Sequence, residues 1–225
     1  MAYFAIDDNS GAKVSIKNWL LTRHTRGNPI CIVNNCNAVL SIVAEHNPDR
    51  DTHFRHPANT NCPSVLANAI PYRQLQNIPI DQTQIQNIKI LFLENLHRIF
   101  IKCQELIPNL SFSEFFDIVR YANHLNIWGY TAIDIEYIPY ILCTCKDYFI
   151  QRNPYRTFSF HFIFGDVERV NELWINTNNN ANVIYRVNRN TQDVEIINLE
   201  FNLETYNIGS NLPLYYVNLI TNLIN

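Results

Sequence analysis

Glycine, positive charge and long apolar runs are scarce in this 225-residue chain, and each scarcity excludes a class of protein. Only five glycines are present, too few to build the glycine-rich loops that hold phosphate groups in common nucleotide-binding folds. The formal net charge is −3 at pH 7, so the large basic surface of many nucleic-acid-binding domains is missing, which leaves room only for a local basic patch.

Segments that enter or cross membranes are also missing. The first residues, MAYFAIDDNSGAK, include Asp7 and Asp8 and contain no apolar run, so no secretory signal is predicted. The apolar run IEYIPYILCTC is too short to span a bilayer and is interrupted by a proline. We therefore predict a cytoplasmic protein without a membrane partner. In a reducing compartment, clustered cysteines favour metal binding over disulfide formation.

The apolar content is 47% of the chain, enough for a substantial core, and its pattern changes along the sequence. Residues 1–66 contain short strand-like segments separated by turns, beginning with a hairpin around Asp-Asn-Ser-Gly. Residues 80–225 show helical spacing first and strand-like alternation afterwards. We predict an α+β fold with a small β module over 1–66, followed by a mixed domain over 80–225 of helices and then antiparallel strands.

Individual elements of the second part can also be predicted. Apolar residues at helical spacing predict one long helix over 81–106. Ser111 and Glu114 form a capping-box pattern at the start of a second helix, and a third is expected over 134–151. The segment TFSFHFIFG predicts a strand with His161 facing outward, and a hairpin is expected around NRNTQ. The last fourteen residues fit either a helix or a strand.

Cysteines and histidines cluster in CIVNNCNAVLSIVAEHNPDRDTHFRHPANTNCPS, residues 31–64. Zinc sites need about four sulfur or nitrogen ligands brought together by tight turns, and Cys-x4-Cys lies within the usual spacing of such pairs. The spacing favours a Cys3His set as the ligands of a structural Zn²⁺ ion: Cys31, Cys36, His56 and Cys62. Because so small a β module has little core of its own, a metal ion is expected to stabilise it.

The histidine ligand is left open by the sequence, because His53 is an alternative to His56. The segment THFRHP begins like a strand, in which alternate side chains face opposite sides. His56 then shares the side of Phe54, an expected core residue, while His53 faces the other way. This alternation favours His56.

The strand YFAID, the cysteine pair, the sequence HFRHP and a further cysteine together resemble the N-terminal zinc-finger-like region of the competence protein CoiA family. The resemblance covers about residues 3–64. It implies a zinc-binding module which, in that family, precedes a restriction-endonuclease-like nuclease core and serves DNA processing during transformation. The present chain departs from the family in its cysteine spacing, which is x4 rather than x2.

A nuclease core of that kind needs an Asp followed by Glu-x-Lys to hold Mg²⁺ and position a base. No glutamate in this chain is followed two residues later by lysine. The remaining candidates for a divergent metal-dependent nuclease are the pair Asp193 and Glu195, or the region of His53. The sequence therefore argues against an enzyme and predicts no catalytic residue.

A weak nucleic-acid-binding surface is predicted beside the metal ligands, formed by Arg23, Arg26, Arg50 and Arg55. The function that fits best is a zinc-containing, non-catalytic binding or adaptor protein of a bacterial or mobile-element DNA-processing or anti-phage defence system. Its expected partner is nucleic acid, another protein or both, and no small-molecule cofactor is predicted. The alternatives are the divergent nuclease and a structural subunit of a protein complex.

Overall fold

The computed structural model of the protein describes residues 2–33, 36–45, 47, 50–58, 60, 62, 65, 78–146, 148–164, 183–191, 193–200, 202–203 and 212–225. Within these ranges the chain forms six α-helices and eight strands, and the strands pair antiparallel in three sheets. The predicted α+β class is confirmed. Most of the connection between the two predicted parts, residues 66–77, lies outside the described ranges.

Two small sheets and one helix make up the N-terminal part, which we call the metal module (residues 2–65). Its elements are β1 (Phe4–Asp7), β2 (Lys13–Ser15), α1 (Ile16–Thr22), β3 (Pro29–Ile30), β4 (Ser41–Val43) and β5 (His53–Arg55). The first sheet has the order β2-β1-β3, and β4 pairs with β5 in the second. The predicted hairpin turn is confirmed, with Gly11 at a φ of 67°, a value that favours glycine. Hydrogen bonds between Ala2 and Phe54 join the two sheets.

Five helices form the next layer. They are α2 (Ile85–Glu94), α3 (Leu96–Leu106), α4 (Phe112–His124), α5 (Ile138–Thr144) and α6 (Leu214–Ile224). The prediction of a single helix over 81–106 is wrong, because the helix is interrupted at Asn95, between α2 and α3. The side chain of Asn95 donates to the carbonyl of Leu91 at 2.9 Å, and asparagine competes in this way with the helical backbone.

The start of α4 agrees with the sequence, whereas the third helix does not end where the sequence predicts. The capping box of α4 is confirmed, since the Ser111 hydroxyl accepts from the Glu114 amide and the Glu114 carboxylate accepts from the Ser111 amide. The third helix is shorter than predicted and ends at Thr144, with Pro139 in its first turn. Beyond it, Phe149 pairs with Phe160 as a β-bridge, so residues 149–160 form a hairpin. The last segment is a helix.

A third sheet lies between the helices and the metal module. It consists of β6 (Phe160–Phe164), β7 (Val183–Asn188) and β8 (Val194–Asn198), in that order. One face, including Phe160, Phe162 and Phe164, joins the helical core. The other face packs against the core of the metal module; it carries Ile163, Val183, Tyr185, Val187 and Val194. The predicted domain limits stay a prediction, but the two parts share this sheet.

The outward orientation expected for His161 is wrong, and the shared sheet explains why. His161 is 3% exposed, because the face on which it lies is covered by protein rather than by water. Its Nε2 atom is buried without a hydrogen-bond partner among the described residues. A polar group buried in this way costs stability, and the cost rises if the ring becomes charged.

Acid is therefore expected to destabilise the fold through His161. Burial, together with the charge of Arg189, lowers the pKa of His161 from 6.5 to about 4. The folded state binds the proton less tightly than the unfolded chain does. This contribution to stability is thus fully present above pH 6.5 and is lost as the pH falls toward 4. At about 1.4 kcal/mol per pKa unit, the loss approaches about 3 kcal/mol.

The free energy of unfolding in urea, measured between neutral pH and the lowered pKa of His161, checks this expectation. A His161→Gln variant cannot titrate and should lose about 3 kcal/mol less than the wild type over the interval. Other acidic groups titrate in both proteins and cancel in the comparison. Equal losses in the two proteins would contradict the assignment.

No helix among the described residues is both long and apolar enough to cross a lipid bilayer.

Candidate metal centre

The first two candidate ligands lie where β3 ends in a tight turn. Cys31 follows Ile30 directly, and its amide donates to the carbonyl of Ala38 at 3.0 Å. Within this turn the Cys36 amide donates to the carbonyl of Val33 at 3.1 Å. These two hydrogen bonds hold Cys36 near Cys31, and their sulfur atoms lie within 4.8 Å of each other, as a Cys-x4-Cys pair requires.

The second pair comes from the end of β5 and the loop beyond it. Phe54 is 1% exposed and packs edge-on against Trp19, with ring centroids 5.5 Å apart. His56 lies two residues further and points to the same side, as the strand alternation predicts. Cys62 follows in a loop and is fully buried. Its carbonyl accepts from the Val65 amide at 3.0 Å, which marks a turn just after it.

The ligand atoms of Cys31, Cys36, His56 and Cys62 all lie within 4.8 Å of one another, so these side chains can hold a metal ion. The sulfur atoms of Cys31 and Cys62 are 3.7 Å apart, far longer than a disulfide bond of about 2.05 Å. A tetrahedral zinc ion with Zn–S bonds of about 2.3 Å places two thiolates about 3.7 Å apart. The Cys31–Cys62 separation is therefore compatible with two ligands of one tetrahedral metal ion.

The two histidines have different surroundings. His56 is 9% exposed, and its Nε2 atom is buried without a hydrogen-bond partner among the described residues. An unprotonated imidazole nitrogen in that position can offer its lone pair to a metal ion. His53 instead has its Nδ1 atom 2.8 Å from the carbonyl of Asp51 and lies outside the cluster. The geometry thus favours His56 over the alternative.

Without a cation the cluster is unfavourable for thiolates. The adjacent Cys62 thiol, together with burial, raises the pKa of Cys31, and burial raises the pKa of Cys36. A bound divalent cation would reverse both effects, because its charge favours the deprotonated sulfur. The Val33 amide donates to the sulfur of Cys31 at 3.4 Å. A hydrogen bond of this kind stabilises a thiolate and orients it.

The four predicted nucleic-acid-binding arginines differ in whether a carboxylate lies beside them. Arg23 binds Glu45 at 2.7 Å, and Arg26 binds the buried Asp7 at 3.2 Å. Arg50 and Arg55 are exposed, and neither has a carboxylate partner among the described residues. Arg26 is therefore part of the network that fixes the turn after β1, and within the described ranges only Arg50 and Arg55 of these four have no ion-pair partner.

The residues of the nuclease alternative do not form a metal cluster within the described part of the chain. Glu195 forms an ion pair with Arg186 on the neighbouring strand. Asp193 accepts from the Thr191 hydroxyl at 2.7 Å in the hairpin turn. The three cysteines outside the cluster, at positions 103, 143 and 145, are buried in the helical core.

Comparisons with known proteins add no further constraint, because no family model, no curated protein and no solved structure matches this chain.

Proposed function

We propose that this protein is a zinc-containing, non-catalytic binding or adaptor protein. The observation that carries the proposal is the closed set of four protein ligands, Cys31, Cys36, His56 and Cys62, whose ligand atoms lie within 4.8 Å of one another. Four protein ligands leave no open position for water or substrate, which is the arrangement of structural zinc sites. Such an ion supports the fold of the module and does no chemistry.

The burial of the site supports a structural role. Cys31 and Cys62 belong to the hydrophobic cluster that joins the metal module to the outer face of the β6–β8 sheet. An ion at this position would hold the loops at residues 31–36 and 56–62 against that sheet. The surface of the module is then free to bind a partner, for which the exposed Arg50 and Arg55 suit an anionic chain such as nucleic acid. The resemblance to the CoiA family extends the proposal to DNA-processing or anti-phage defence systems of bacteria or mobile elements.

Metal content tests the proposal. Two variants are compared: His56→Ala removes a proposed ligand, and His53→Ala, at the start of β5, serves as the control. Purified wild-type protein should contain one zinc ion per chain by elemental analysis. His56→Ala should lose it, because three ligands and a buried cavity bind zinc far more weakly than four. His53→Ala should keep it. The proposal is wrong if His56→Ala still contains one zinc ion per chain, or if the wild type contains none.

A further inference from the structure

A second site candidate lies away from the metal module, in a cavity between α4 and the segment that includes Cys145, Lys146, Tyr148 and Ile150. The cavity has a volume of about 460 Å³, within the range of small-molecule sites. Lys146, Tyr148 and Ile150 line one side, and Arg120 and Tyr121 of α4 line the other. The hairpin of residues 149–160 continues from one edge of the cavity.

Next to the cavity, one buried carboxylate lies close to three cations, so it can balance the charge of only one of them. The buried Arg156 binds both carboxylate oxygens of Glu114, at 3.2 and 3.3 Å. Arg152 lies 3.1 Å from the same carboxylate, and Lys146 lies 4.0 Å from it. Because Arg156 already neutralises Glu114, the charges of Arg152 and Lys146 are surplus. Both side chains are partly exposed.

Two further cations lie at the cavity, and one of them increases the surplus. The guanidinium of Arg189 lies over the ring of Tyr148, 4.3 Å from its centroid. Arg120 pairs with Asp117 at the surface, a contact that contributes little in water. Among the described residues the cavity and its border thus carry five cations against two carboxylates; Asp147 lies outside these residues. This surplus is local, since the whole chain has a net charge of −3.

Aromatic surface accompanies the positive charge. Tyr148 is 38% exposed at the cavity, and Tyr155 is 69% exposed at the tip of the hairpin beside Arg152. Tyr148 and Ile150 are exposed on either side of the buried Phe149, which pairs with Phe160 as a β-bridge, so the two side chains share one exposed face. Cations with interleaved exposed aromatic rings are suited to phosphates and to the flat faces of nucleobases.

We propose that this cavity binds a nucleotide, with its phosphate on Lys146 and Arg152 and its base against Tyr148. The ligand is either a free nucleotide or one unit of a single strand, and the exposed Tyr155 offers a further ring to a strand that extends along the hairpin. Recognition through side chains explains how a chain with only five glycines can bind phosphate without a glycine-rich loop. The inference goes beyond the proposed function and does not depend on the metal ion.

Fluorescence anisotropy of the full-length protein tests the inference. The probes are a fluorescein-labelled oligothymidylate, a labelled mononucleotide and, as competitors, inorganic phosphate and polyglutamate. Either nucleotide probe should bind, and the one that saturates identifies the source of the ligand. Lys146→Gln combined with Arg152→Gln should weaken binding about tenfold or more, and for the oligonucleotide should lower the salt slope by ~0.7 per lost phosphate contact.

Controls separate this site from the metal module and from general charge. Tyr148→Leu keeps an apolar side chain but removes the aromatic ring. It should weaken binding of the nucleotide probes and leave the affinity for inorganic phosphate unchanged. Lys17→Gln alters an exposed lysine on α1 and should leave binding unchanged. The inference is wrong if neither probe binds, if Arg55→Gln alone abolishes binding, or if phosphate or polyglutamate competes as well as an unlabelled nucleotide.

Discussion

Replacing Cys62 with alanine should remove the proposed metal ion and at least about 3 kcal/mol of stability. Cys62 is fully buried at the junction between the metal module and the β6–β8 sheet. Structural zinc contributes about 10–16 kcal/mol in isolated finger peptides, and a module with its own supporting sheet is expected to depend on it less. A loss of about 3 kcal/mol corresponds to a fall in the melting temperature of about 10 °C in a chain of this size.

Thermal denaturation with and without a zinc chelator measures this dependence. Cys103→Ala is the matched control, because Cys103 is equally buried, at 1% exposure, but lies in the helical core. Both cysteine variants lose packing to a cavity. The chelator should lower the melting temperature of the wild type and of Cys103→Ala by the same amount, and should not change that of Cys62→Ala. A wild type that is insensitive to the chelator would refute the structural role of the ion.

Replacing Glu114 with glutamine should destabilise the protein by about 3–5 kcal/mol, because it leaves the charge of Arg156 buried without a counter-charge. Arg156 is 1% exposed and also donates to the carbonyls of Pro108 and Ile150, at 3.1 and 3.0 Å. It therefore ties the loop before α4 to the hairpin of residues 149–160. Glutamine still fits the capping box, so the substitution changes the charge and not the cap.

Two further variants isolate the charge effect in urea denaturation. Ser111→Ala removes only the cap and should cost about 1 kcal/mol. Glu114→Gln combined with Arg156→Met removes both charges and should be more stable than Glu114→Gln alone. If Glu114→Gln costs no more than Ser111→Ala, the ion pair contributes little and this account of the junction fails.

The pH dependence of the same variants gives an independent check. Burial by itself would raise the pKa of Glu114, but the hydrogen bonds and charge of Arg156 outweigh it and lower the pKa. The contribution of Glu114 is therefore present above its unfolded pKa, near 4.5, and is lost as the pH falls through its folded value. The wild type should lose its advantage over Glu114→Gln in this acidic range.

Local features of the fold could be predicted from the sequence wherever neighbouring residues decide the outcome. The turn at Gly11 and the cap at Ser111 are of this kind, because each depends on contacts over a few residues. The single helix over 81–106 fails for a related reason. The apolar spacing continues through Asn95, but one side-chain hydrogen bond to the carbonyl of Leu91 favours a break.

The candidate metal site was also accessible to sequence reasoning, since cysteine and histidine spacing is a strong signal. The alternation of His53 and His56 around Phe54 predicted which ring faces inward. The cavity beside Lys146 and Tyr148 was missed. Its signal, the exposed Tyr148 and Ile150 on either side of the buried Phe149, fell within a segment predicted as a helix, where such spacing scatters the side chains.

The sequence by itself determined the α+β class, the turn at Gly11 and the cap at Ser111, and it identified Cys31, Cys36, His56 and Cys62 as candidate ligands with His53 as the alternative. Only the tertiary structure decided that the metal module covers the second face of the β6–β8 sheet, and therefore that His161 is buried. It also decided that Glu114 meets Arg156 across 42 positions of the chain. The physical reason is that capping and strand alternation act over a few residues, whereas burial depends on which distant surfaces exclude water together.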